Sequence, residues 1–289
     1  MNTINNTLRI WITVVILAFL IAGCSDDDKV SPGSNLDTTP PVRNQLDTWI
    51  YDNFTKPYNI EVIYRWSESL IDQNRFLYPP TLDSIQPALN VVKKLWIEPY
   101  SSVAEQGYPY IIQKTAPRQI VLVGGRNVNQ SGTITLGLAE TGKRIILFEI
   151  DLLDKGDKPS IIQFIHTIQH EYVHILNQTK PFDEETYGQI TPEGYTAQWY
   201  NETTEGSREE GFITAYSRAS EGEDFAEMAS TMLEMSRSEW DDLIDSIPEP
   251  GASKIRQKEQ IVVDYYKSEY NIDLYELQET VNQAMLKLL

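Results

Sequence analysis

The sequence predicts an α+β fold: a mixed sheet in the N-terminal half, then one helix carrying the densest chemical motif, then a helical C-terminal half. Two observations carry this. Between residues 60 and 150, short Val- and Ile-rich runs end at turn-forming residues, as strands do. From Ser160 onward, apolar residues recur at helical spacing. Strands come first and helices later, and the periodicity by itself shows mixed α and β.

The elements follow in turn. Asn44 to Phe54 reads as a short helix, and Ile60 to Tyr64 as a strand. Leu82 to Ile97 has Ile85, Leu89, Val92, Leu95 and Trp96 at helical spacing, hence an amphipathic helix. Arg118 to Val123 is a strand ending at the Gly124-Gly125 turn. Ile134 to Leu138 and Arg144 to Ile150 read as two more strands, joined around Thr141-Gly142. Ser160 to Asn177 is one helix with Ser160 as its expected cap. The long segment from Lys180 to Gly211 is expected to wall or cover a site, since loops of this length are seldom idle. Helices are expected at Glu223–Ser236, Ser238–Ser246, Ser253–Tyr270 and Leu274–Leu288.

Ahead of this lies a different kind of sequence. Arg9 precedes an apolar run from Ile10 to Ala22 that is short for a mature membrane span and fits a signal-peptide core. It ends Leu20-Ile21-Ala22-Gly23-Cys24, which resembles the lipobox of bacterial lipoproteins. That resemblance implies removal of residues 1–23 and lipidation of Cys24, the one cysteine in 289 residues. The membrane would then be reached through an N-terminal lipid anchor of several acyl chains. Ser25-Asp26-Asp27-Asp28 resembles the acidic signal that sends some Gram-negative lipoproteins to the outer face of the outer membrane. The alternative is the periplasmic face. Residues 24–42, with Pro32, Pro40 and Pro41, read as the lipidated cysteine and a flexible spacer. Residues 43–289 form the folded domain.

The net charge of −18 argues against nucleic acid as a partner, because phosphate binding needs a basic surface.

The chemistry concentrates in His170-Glu171-Tyr172-Val173-His174. Histidines four apart stand one turn apart on one helix face, near enough to share a metal ion. Glu171 then reaches water at that metal and takes its proton. Two of only three histidines fall in this register. The third, His166, is eight residues from His174, about 12 Å of helix. It reads as a packed residue or one that supports a ligand. Zn2+ is the expected cofactor, although imidazole and carboxylate suit other transition metals too. A third protein ligand is needed, and no histidine remains for it. The best source is the acidic opening of the next helix, Glu221-Gly222-Glu223-Asp224-Phe225-Ala226-Glu227. Glu223 and Glu227 share a face, so one can bind metal while the other orients a histidine. Asp224 stays open as an alternative ligand.

The segment Ala215 to Glu227 resembles the matching stretch of lethal-factor-type zincins. It is closer still to the substrate-import-associated zinc metallohydrolase lipoproteins, a likeness that covers most of the mature chain. The resemblance implies a zincin-like metallopeptidase fold, with Glu223 as third zinc ligand, Glu227 behind the ligands and Tyr216 as hydrogen-bond donor to the transition state. It implies a zinc metallopeptidase acting on a peptide or protein substrate, and an outer-membrane import receptor as a further partner. In many zincins an edge strand ahead of the active-site helix takes the substrate backbone by strand addition, and Arg144–Ile150 is the expected strand. The other class of function is a binding accessory of the import receptor with little turnover. A metal-free structural lipoprotein fits the motif least.

Overall fold

The computed structural model describes residues 42–289 except 73, 105, 106, 130, 131, 141 and 142. The expected signal segment, Cys24 and the spacer up to residue 41 lie outside the described residues.

The described strands are β1 (Glu61–Ile63), β2 (Gln119–Leu122), β3 (Asn127–Val128), β4 (Ile134–Thr135), β5 (Gly137–Glu140) and β6 (Arg144–Leu147). Four form a mixed sheet in the order β1-β2-β6-β5. β1, β2 and β6 are parallel, with Ile120 opposite Ile145, and β5 runs antiparallel with Leu138 opposite Ile146. The central strands are apolar without a break because both sheet faces are covered. Ile120, Leu122, Ile145 and Leu147 join the main core. Val121, Val123, Ile146 and Phe148 point the other way, under Ile63, Leu70, Ile71 and Leu77.

Two strand expectations are corrected. Arg144–Ile150 is not an edge: β6 ends at Leu147 and lies between β2 and β5, while Ile150 opens a 3-10 turn. A strand with three buried apolar residues suits an inner position, and β5, whose Leu138 is exposed, takes the edge. The run Ile134–Leu138 also divides at Leu136. Ile134–Thr135 pairs with β3 in a separate ribbon, and Gly137 onward pairs with β6.

The longer helices are α1 (Leu82–Val92), α2 (Lys158–Thr179), α3 (Glu221–Glu234), α4 (Arg237–Asp245), α5 (Gly251–Tyr270) and α6 (Leu274–Leu288). Helical backbone continues beyond α1 through Lys93–Ile97 and Glu98–Val103. The cap of α2 is Asp157, not Ser160: its carboxylate accepts the Ser160 N–H at 3.1 Å, and Pro159 sits where a missing N–H costs nothing. The rotation of α2 is set from its buried side. Tyr172 is fully buried, edge-on to Trp96 and Tyr100 with centroids at 5.0 and 4.9 Å, and its hydroxyl bonds Thr115 at 2.6 Å. That anchor turns His166, His170 and His174 toward α3.

α3 is buried continuously from Asp224 to Leu233, as a helix enclosed by neighbours must be. It packs against α2, α5 and α6. The segment expected as a loop, Lys180–Gly211, contains short helices at Glu184–Gly188 and Thr204–Glu210, capped by Asp183 and Thr203. Gly211 ends the second with φ of 101°, a conformation glycine adopts without strain. No helix among the described residues is long and apolar enough to cross a membrane.

Candidate metal centre

α2 and α3 run antiparallel and present facing stripes: His166, His170 and His174 on one, Glu223, Glu227 and Glu234 on the other. The pairing descends one stripe as it climbs the other. His174 meets Glu223, His170 meets Glu223 and Glu227, and His166 meets Glu227 and Glu234. Spacings of four between the histidines, and of four and then seven between the glutamates, keep each stripe on one helix face and make this register available.

At one end three ligand-type atoms converge. His170 Nε2 and His174 Nε2 are 3.1 Å apart, and Glu223 Oε2 lies 2.9 Å from the first and 3.2 Å from the second. A single proton serves one such pair at a time and leaves the third atom facing a lone pair. A cation satisfies all three. Tetrahedral zinc with N and O ligands about 2.0 Å away would separate those ligands by about 3.3 Å. The donor set therefore fits zinc, and His170, His174 and Glu223 are the residues that would hold it.

Asp224 does not join this group. One residue further round α3, it is fully buried against Lys258 Nζ at 2.5 Å and the Tyr195 hydroxyl at 3.0 Å. Lys258, equally buried, also donates to the Gly211 carbonyl at 2.9 Å and lies 3.9 Å from the Phe212 ring centre. Glu227 stands behind His170, its Oε1 2.8 Å from Nδ1 in a close but unaligned contact. Its other oxygen accepts from Thr214 Oγ1 at 2.6 Å.

The electrostatics follow from burial and these contacts. Burial works against a charge on Glu223, but hydrogen bonds with His170 and His174 outweigh it and hold the carboxyl well below its usual range. Glu227 is likewise held low by His166 and His170 despite burial. Burial alone would push His170 down, yet Glu223 and Glu227 raise it to about 9. The field that draws a proton here also draws a metal cation. Burial, then the charge of Glu223, pushes the Tyr216 phenol up, so its hydroxyl keeps its proton for donation.

A cleft of about 470 Å³ opens on the group. Glu171, Tyr216, His170, Gly137, Trp199 and His166 all line it. Tyr216 lies in a 3-10 turn ahead of α3, near His170 (ring centres 5.7 Å apart) and edge-on to Trp199 at 4.8 Å. Gly137 begins β5 at close approach to α2: a Cβ there would collide with Thr167 Cγ2 and come within 3.4 Å of Glu171 Cγ. Sequence reasoning missed Trp199, Thr214, Gly137 and Glu234. Glu234 alone had a usable signal, its place eleven residues after Glu223 on the acidic face of α3. The others are near the site only through the path of the chain.

Residues 39–275 match the family described as "Putative zinc-binding metallo-peptidase". Among solved structures, the fold is similar to the crystal structure of "a putative zinc-binding metallo-peptidase from Bacteroides caccae ATCC 43185", with a TM-score of 0.68 and 28% sequence identity, over 84% of this chain and 92% of that one. No curated protein matches the chain in sequence. A match over most of the sequence, carried by a mixed α+β fold with a converged His/Glu group, places this chain in the "Putative zinc-binding metallo-peptidase" family.

Proposed function

We propose that this protein is a zinc-dependent peptidase that hydrolyses peptide bonds in its cleft. The observation carrying the reading is the convergence of His170, His174 and Glu223 beside a cleft lined by His170, Glu171 and Tyr216. When bound, zinc supplies a Lewis acid that polarises the scissile carbonyl and acidifies water. Glu171 accepts the proton of the attacking water and delivers it to the leaving amine. The Tyr216 hydroxyl donates to the carbonyl oxygen as it gains charge. An extended substrate lies along β5, which pairs on one side only among the described strands, and Gly137 keeps that edge close to Glu171.

The lipobox-like Leu20-Ile21-Ala22-Gly23-Cys24 and the following acidic residues support a lipid-anchored enzyme at the outer membrane, on the cell surface. The family likeness noted in the sequence supports a link to nutrient import through an outer-membrane receptor.

The test is metal content and casein hydrolysis of residues 25–289, beside Glu171→Gln and Glu223→Ala. The expected result is one zinc per chain, hydrolysis by the parent only, and zinc lost from Glu223→Ala. Zinc without hydrolysis of casein or a broad peptide library would favour an import accessory. A parent that takes up no zinc would overturn the metal centre.

A further inference from the structure

Beyond the proposed catalytic group lies a second cluster that the mechanism does not use. His166, Glu227 and Glu234 are largely buried, with side-chain exposures of 22%, 6% and 10%. His166 Nε2 lies 2.9 Å from Glu227 Oε1, and His166 Nδ1 contacts Glu234 Oε1. Both nitrogens of one ring are thus engaged by carboxylates, so the ring cannot turn without losing a partner. Glu227 is fixed in consequence: His166 and His170 meet one oxygen and Thr214 the other.

His166, His170 and Glu227 also approach within 4.8 Å of one another, which gives them the look of another metal site. The nitrogens argue otherwise. His170 faces Glu227 with Nδ1 and the first group with Nε2. A neutral imidazole has one lone pair. If His170 coordinates through Nε2, its proton sits on Nδ1 toward Glu227, and no second ion fits there.

We infer that Glu234 and His166 are positioning residues, a clamp that holds Glu227 against His170 Nδ1 and so fixes the tautomer and orientation with which His170 binds metal. The inference rests on the proposed metal centre. Partners of this kind typically contribute 10–100-fold in metal affinity.

The test uses the mature chain, with Glu234→Gln as the near-isosteric variant and His166→Phe as the severe one. Zinc affinity is measured by competition with a chromophoric chelator. The cobalt-substituted visible spectrum reports ligand geometry, and thermal melting of the metal-free chains reports folding. Each variant is expected to bind zinc about 10–100-fold more weakly and to shift the cobalt bands. The double variant should lose little more than His166→Phe alone, because the two residues act in series. Variants that melt early but keep the parent's zinc affinity and cobalt bands would overturn the clamp. So would a parent holding two zinc ions per chain that falls to one on His166→Phe. A parent that binds no zinc would instead sink the metal centre itself.

Discussion

The two ends of the His/Glu interface are built from the same residue types and suit different occupants. At the His174 end, two imidazole nitrogens and one carboxylate oxygen face one another within 3.2 Å. Lone pairs outnumber protons there, and a cation resolves the crowding. At the His166 end, one imidazole stands between two carboxylates. Protons resolve that arrangement, and burial of His166 is outweighed by Glu234 and Glu227, which hold it well above its usual value. Which ring nitrogens still offer a lone pair, not the presence of imidazole or carboxylate, decides what fills such a cluster.

The largest expected break in this contrast is Glu171→Gln. It lines the cleft and is not one of the three residues whose ligand atoms converge, so turnover should fall by about 10²–10⁴-fold with zinc retained. Equal loss of zinc would show that Glu171 belongs to the holding group. Tyr216→Phe should lower kcat by about 10²–10³-fold with little change in zinc content. An unchanged kcat would remove Tyr216 from the reaction.

A third change probes how α3 is held. Lys258→Met leaves Asp224 buried without its cation and should cost about 3–5 kcal/mol of stability. Burial raises the Asp224 carboxyl to about 6 even with Lys258 opposing it. A carboxyl raised in the folded state favours folding below its unfolded value near 4, and that contribution disappears as pH rises through the folded value. The cost of Lys258→Met should therefore be greatest above neutrality and shrink toward pH 4, as read by urea melts. A cost independent of pH would mean that Asp224 is not the group left uncompensated. The smallest expected effect is Gly137→Ala, about 1–3 kcal/mol of overpacking against Thr167. It should raise KM for extended peptides more than for dipeptides, and equal effects on both would argue against strand addition along β5.

The helices were legible in the sequence because each buries an apolar stripe that repeats along the chain. α2 and α3 are found close to their expected bounds for that reason. The pairing of strands was not legible. Arg144–Leu147 and Gly137–Glu140 are both short, and which lies at the edge depends on β2, supplied from residue 119 onward. The short helices at Glu184–Gly188 and Thr204–Glu210 rest on caps and are too short for an apolar stripe to repeat, Tyr187 being the one large side chain they bury, so periodicity passes over them. At the site, the spacing His170, Glu171, His174 and the pair Glu223, Glu227 named the residues that the fold brings together. The choice between Glu223 and Asp224 turned on a rotation of one residue about α3. Its visible cause, Lys258, stands 34 residues further along the chain.

The contact between His174 and Glu223 spans 49 residues of sequence. The sequence has one cysteine, Cys24, so residues 43–289 contain no disulfide. An ion shared by α2 and α3 would take that part, as a staple opened by a chelator rather than a reductant. Its strength would follow the free metal concentration, adding about 2.7 kcal/mol at a hundredfold excess over Kd. The survival of such a protein would then be set by the supply of metal around it.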